Sequence, residues 1–241
     1  MTTRETALVT GSSAGIGLEL VRQLLARGDR VVAATRAGSP ALDRLAAAHP
    51  DTLLPLRLDP GVESSVAEAR SQLGERVEAV DLLFNNAGVY SHWSRHWDPD
   101  ATLFDTVTQE ELLEVFRVNA AGPMIVTQHF LNLVRASAAG RILNLTSLVG
   151  SVSHKTSGGD YAYAASKAAL NIMTRALAAE LAPEGIVAIC ITPGWVRTEM
   201  GGSAASLTPA ESVRGMLKVA AGLTVRDAGR FVDYQGKDQP W

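Results

Sequence analysis

The chain has 241 residues, 46% of them hydrophobic and 20% charged, enough for one large α/β domain or two small ones with a sizeable core. Its net charge is −3 and its lysines and arginines are scattered without a basic run, so neither a nucleic-acid surface nor a polyanionic-membrane surface is expected. Its single cysteine, Cys190, has no internal disulfide partner and sits in the apolar run "GIVAICIT", where a thiol packs as a small apolar side chain. The apolar run before Gly11 is too short for a signal-peptide core and no segment approaches the ~20 apolar residues of a membrane span, so a cytoplasmic protein is expected.

In chain order, strands are predicted at Thr6–Thr10, Arg30–Thr35, Thr52–Leu58, Val80–Asn86, Gly140–Thr146, Ile186–Thr192 and Gly229–Tyr234. Helical patterns lie between them at Gly15–Ala26, Pro40–Ala48, Val62–Leu73, Gln109–Ala136, Tyr161–Leu181 and Pro209–Ala221. No Pro/Gly/Ser linker and no repeat divides the alternation, which predicts one domain over residues 1–241. Strands that are almost continuously apolar must be covered on both faces. The expected fold is therefore α/β, a doubly wound seven-stranded parallel sheet of Rossmann type in three α/β/α layers, with ligands at the carboxyl ends of the strands.

After the first strand, "TGSSAGIG" puts Gly11, Gly15 and Gly17 where strand becomes helix. Without Cβ atoms the backbone turns tightly and approaches a ligand, and the N–H groups at the helix start favour a pyrophosphate. The spacing G-x-x-x-G-x-G differs from the commoner G-x-G-x-x-G of dinucleotide folds. The second strand ends in "AATRAGS", without the acid that would hold both ribose hydroxyls of NAD(H). Arg36 is instead placed to meet a 2′-phosphate, which favours NADP(H) over NAD(H), although an ordinary exposed loop arginine would read the same way. Asp59 either caps the helix that starts near Val62 or contacts adenine, the cap being preferred.

In "VFRVNAAGPM", Pro123 follows Asn119 by four residues, so the Asn119 carbonyl loses its helical partner and a kink is expected, with a freed carbonyl able to hold a water or merely a packing defect. On the helix "YAYAASKAALN", Lys167 stands one turn above Tyr163, whereas Tyr161 has only Ala165 above it. In "SHWSRHWDP", His92 and His96 are four apart and interleaved with Trp93 and Trp97; no Cys or Glu completes a ligand set, so an aromatic pocket wall is preferred to a metal site. The glycine-rich "GGSAASLTPAES" after Met200 suits a flexible flap.

With "NNAG" at Asn85 to Gly88, "YAASK" at Tyr163 to Lys167 and "PGWVRTEM" at Pro193 to Met200, the chain resembles the short-chain dehydrogenase/reductase family along its whole length, and its sniffer-type carbonyl reductase and C-factor branch in particular. The resemblance implies an NADP(H)-dependent reductase of a small aldehyde or ketone, with Asn119, Ser147, Tyr163 and Lys167 as catalytic residues and no metal. Tyr163 would be the proton donor, its phenolate stabilised by Lys167, and Ser147 would orient the carbonyl where strand alternation turns its neighbour Thr146 away. The implied cofactor contacts are Gly11, Ser13, Gly15, Ile16, Gly17, Arg36, Asp59, Asn86, Ala87, Gly88, Tyr163, Lys167, Pro193, Gly194, Val196 and Thr198. The resemblance also implies a homodimer or homotetramer, and the C-factor likeness leaves open a cofactor-binding signalling protein with little turnover.

Overall fold

The computed structural model describes residues 4–90 and 104–241. The strands β1 (Thr6–Thr10), β2 (Arg30–Thr35), β3 (Leu53–Arg57), β4 (Leu82–Asn85), β5 (Arg141–Leu145), β6 (Val187–Thr192) and β7 (Phe231–Asp233) form one sheet in the order β3-β2-β1-β4-β5-β6-β7. Every pairing is parallel. The order reverses direction between β1 and β4, which places a crevice at the carboxyl ends of these two strands, where doubly wound sheets bind ligands. The helices are α1 (Gly15–Arg27), α2 (Pro40–Ala48), α3 (Glu63–Leu73), α4 (Gln109–Phe116), α5 (Gly122–Arg135), α6 (Tyr161–Leu181) and α7 (Pro209–Gly222).

Two apolar layers follow from the alternation of side chains along each strand. On one face Ala7, Val9, Val31, Ala33, Ile189 and Ile191 meet Leu20, Val21 and Leu24 of α1 and Val213 and Met216 of α7. On the other, Leu8, Val32, Leu83 and Ile142 meet Val66 of α3, Val126 and Phe130 of α5 and Leu181 of α6. Local chemistry sets the helix starts. Ser39 accepts from the Leu42 N–H just before Pro40, and Thr208 forms a reciprocal capping box with Glu211 before Pro209. No helix among the described residues is long and apolar enough to cross a membrane.

The stretch expected as a single helix from Gln109 to Ala136 is α4 and α5 joined by a π-helical turn at Arg117–Ala121. The Gly122 N–H reaches back five residues to the Arg117 carbonyl. Pro123 brings no N–H to Val118 or Asn119, so the ladder is interrupted where the sequence requires, but as one wide turn.

Candidate active site

The glycine turn, the loop after β4 and the loop after β6 converge at the crevice. Gly11 has φ +70°, and a Cβ on it would stand 2.8 Å from the Ala87 Cα. The Asn86 side chain donates to the carbonyls of Thr10 (2.8 Å) and Gly11 (3.3 Å), while the Thr10 hydroxyl accepts from the N–H groups of Asn86 and Ala87 (3.1 Å each). A Cβ at Gly15 would meet the Thr198 methyl at 3.3 Å, which brings "PGWVRTEM" against the turn. The N-terminus of α1 has no side-chain cap and no acid in its first turn, so its N–H groups and positive dipole face the crevice unneutralised. That cradle fits a dinucleotide pyrophosphate. Arg36 stands exposed just beyond β2.

At the carboxyl end of β5, Ser147 begins a short 3-10 turn, its oxygen accepting from the Val149 N–H (3.3 Å), and it lies near enough to the Tyr163 phenol to favour its ionised form. Thr146, in contrast, is buried with its hydroxyl on the Lys167 carbonyl, as strand alternation requires. Lys167 is only 4% exposed, and its ammonium donates to the Leu145 carbonyl (2.8 Å), tying α6 to β5 with Nζ 5.7 Å from the centre of the Tyr163 ring. A Cβ at Gly88 would lie 3.3 Å from Asn119 Oδ1 and 3.7 Å from Lys167 Nζ, so the loop after β4 closes over the same spot. Asn119, Ser147, Tyr163 and Lys167, from four separate stretches of sequence or successive helical turns, thus gather at one end of the sheet.

A family model described as short chain dehydrogenase matches residues 5–207. The chain belongs to the short-chain dehydrogenase/reductase family. The C-signal protein of Myxococcus xanthus is 44% identical over 162 residues, covering 67% of this chain and 93% of that one. Among solved structures, an NADPH-bound carbonyl reductase from chicken fatty liver superposes with a TM-score of 0.89 at 32% identity, covering 99% of each chain. Carbonyl reductase Sniffer of D. melanogaster gives 0.90 at 29% identity, with 99% and 100% covered. The chain therefore has the fold of these short-chain dehydrogenase/reductases, one of them solved with NADPH bound, and the protein is an oxidoreductase by family.

One expectation changes against the structure, and at three other places the structure adds contacts that the sequence did not show. Asp59 does not cap α3: its Oδ1 accepts from the Gly61 N–H (2.9 Å), closing a turn two residues early, and α3 starts from Val62 with no side-chain cap. The Asn119 side chain, which the sequence did not single out, accepts from the Val89 N–H (2.8 Å) and donates to the Val89 carbonyl (2.9 Å) and the Ser166 hydroxyl (3.2 Å), clamping the loop after β4 to α6. The segment after Met200 is not a loose flap at its far end. Arg197 holds the carbonyls of Ala205 and Ser206, and Val196 bridges Leu207. Lastly, burial pushes the Tyr163 phenol up to about 12, the Ser147 hydrogen bond pulling against it and the nearby Asp160 charge adding to it. Lys167 gives one of its three N–H donors to the Leu145 carbonyl and is itself pushed down to about 8 by burial.

Residues that sequence reasoning passed over support the site from below. Buried Asn85 donates to the Asn144 side chain (2.8 Å), the Thr127 hydroxyl (3.0 Å) and the Pro123 carbonyl (3.3 Å), and Asn144 donates on to Thr174 (2.8 Å). This polar chain links β4, β5, α5 and α6 beneath the crevice. Alternation of asparagine with leucine in "ILNLT" was its only trace in the sequence. Cys190 is fully buried and its thiol is pushed up to about 12 by burial, as an inert core thiol requires. Tyr161 lies on the first turn of α6 against Phe104, and Pro193 and Gly194 follow β6, where the Pro193 carbonyl accepts from Ser212 (2.7 Å). His92, Trp93, His96 and Trp97 lie outside the described residues.

The lowered Lys167 gives a stability prediction. Between about 8 and the usual lysine value of 10.5, the unfolded chain keeps a proton that the folded chain has released, so stability rises with pH through that window. Below it the full penalty, about 3 kcal/mol, is present. The raised Tyr163 acts with the opposite sign only above pH 10, where the unfolded chain ionises first. Lys167→Met is therefore expected to raise the melting temperature at pH 7 and to flatten its climb between pH 8 and 10, which calorimetry at stepped pH measures.

Proposed function

We propose that the protein is an NADPH-dependent reductase that converts an aldehyde or ketone to an alcohol. The observation that carries this reading is the placing of the Tyr163 ring 5.7 Å from the buried Lys167 ammonium, with Ser147 near enough to favour its phenolate, at the crevice whose glycine turn fits a dinucleotide. Bound NADPH would supply the hydride. Tyr163 gives its proton to the substrate oxygen as negative charge develops there, and Ser147 donates to the same oxygen and fixes its position. Lys167, held by the Leu145 carbonyl, places a positive charge next to the phenol as it loses its proton and is within reach of ribose hydroxyls. The Asn119 clamp keeps the loop after β4 from lifting off the site. The structural relatives in chicken and fly are carbonyl reductases, the former with NADPH bound, which supports the substrate class and the cofactor.

Titration with NADPH and NADH, followed by absorbance decay against aldehydes, ketones and diketones, tests the reading. NADPH preference with turnover of a panel member is the expected result. Arg36→Ala is expected to weaken NADPH binding at least about tenfold and leave NADH binding unchanged, since only the 2′-phosphate meets the guanidinium. Equal losses for both cofactors would remove Arg36 from its role. A second reading, a nucleotide-binding signalling protein with little turnover, is favoured by the 44% identity to the C-signal protein. It predicts tight NADPH binding with no turnover anywhere on the panel. The homodimer or homotetramer expected from the family belongs to this proposal and is tested by light scattering, a monomer refuting it.

A further inference from the structure

Asp160 immediately precedes α6 and is the single non-glycine residue with positive φ among the described residues (φ 55°, ψ 28°). An aspartate at this position ordinarily adopts extended backbone and accepts a hydrogen bond from its own helix. Asp160 does neither. It makes no cap bond, and its carboxylate accepts instead from the hydroxyl of Tyr90, two residues beyond the "NNAG" of the loop after β4. The Tyr90 ring in turn packs on the Tyr163 ring with centroids 4.8 Å apart. A left-handed conformation costs a residue other than glycine of order 1 kcal/mol, and a forgone cap about as much again. Both are tolerated where the carboxylate holds the hydroxyl of Tyr90, whose ring packs on that of Tyr163.

We propose that the Asp160 carboxylate, anchored by the Tyr90 hydroxyl, is a positioning residue that keeps the Tyr163 phenol in its proton-donating form and so widens the pH range over which the site reduces a carbonyl. The charge has the right sign: a carboxylate disfavours a neighbouring phenolate. Among the described residues, Ser147 approaches the phenol from the turn after β5, Lys167 faces its ring from one turn along α6, and Cys190 of β6 is close to Lys167. Lys155, the nearest cation on the loop leading into α6, is spent on the Gly159 carbonyl (2.8 Å) and makes no ion pair with Asp160. Tyr90 thereby ties the cofactor-side loop to the catalytic helix through the same contact.

This inference rests on Tyr163 being the proton donor, so its test reads the phenol directly as well as through turnover. Asp160→Asn keeps an acceptor for Tyr90 and tolerates left-handed backbone but removes the charge; Asp160→Gly removes both and relieves the backbone. In protein labelled with 13C at the tyrosine ζ carbon and saturated with NADP+, the Tyr163 signal is assigned by its loss in Tyr163→Phe. Both Asp160 variants are expected to titrate Tyr163 about one pH unit lower than the native protein, and the high-pH limb of carbonyl reduction to move down by the same amount. Tyr163 titrations that superimpose on the native one would overturn the proposal. If no carbonyl is turned over by the native protein, the reductase reading fails, while the 13C titration still decides the role of Asp160.

Discussion

Tyr163→Phe lowers kcat for carbonyl reduction by about a thousandfold or more and leaves NADPH affinity within about twofold. A positioned general acid contributes roughly 10²–10⁴ in rate, and the neighbouring hydroxyls do not replace it: Ser147 is far too weak an acid, and the Tyr90 hydroxyl donates to the Asp160 carboxylate. Phenylalanine retains the ring, so the packing on Tyr90 at 4.8 Å survives and only the hydroxyl is lost. Stopped-flow reduction at saturating NADPH separates the two effects. A variant that turns over within tenfold of the native rate would move the proton to another group, with water behind Asn119 the first to examine. Under the signalling reading, the same substitution leaves the biological effect intact.

The sequence exposed the sheet well and the polar supports poorly, for different reasons. β1 and β2 fall where their apolar runs place them, and the other strands are shorter only by one or two residues at an end, because a strand buried on both faces declares itself in composition. The spacing of Tyr163 and Lys167 was likewise readable, since one turn of helix separates them whatever surrounds it. What composition cannot show is which way a polar side chain turns once the chain has folded. Asp59 could cap a helix or close a turn, and the difference depends on where α3 begins, one residue past Val62. Asn119 drew attention through Pro123 and its backbone, yet its side chain makes the contacts, with Val89 thirty residues earlier and Ser166 forty-seven later. Nothing in the sequence singles out Asp160, whose backbone is left-handed and whose carboxylate accepts from Tyr90, seventy residues away. The one-turn spacing likewise brings Lys167 near Tyr163 but does not reveal that one of its N–H groups is anchored on the Leu145 carbonyl.

Gly17→Ala is expected to abolish measurable NADPH binding and to lower the melting temperature by about 10 °C, corresponding to a loss of about 3 kcal/mol for a chain of this size. In an ordinary helix the same change is favourable by about 1 kcal/mol, since alanine restricts the unfolded chain and prefers the helix. Position 17 is different because the turn folds back on α1. A Cβ there would stand 2.1 Å from the Gly11 carbonyl oxygen and 2.5 Å from Asn86 Nδ2, both fixed by the fold. Neither can retreat without cost. Gly11 is held by the Asn86 amide, and Asn86 by Thr10, so relieving the overlap opens the joint between β1, β4 and α1 on which the pyrophosphate would rest. Gly222→Ala, at the end of α7 with no atom within 4 Å of the added carbon, is the matched control and should leave both stability and binding unchanged or slightly improved. Calorimetry and fluorescence titration of the pair compare the two directly. If Gly17→Ala behaves like Gly222→Ala, the glycine at the start of α1 is not demanded by close approach, and the dinucleotide cradle must be built elsewhere in the crevice.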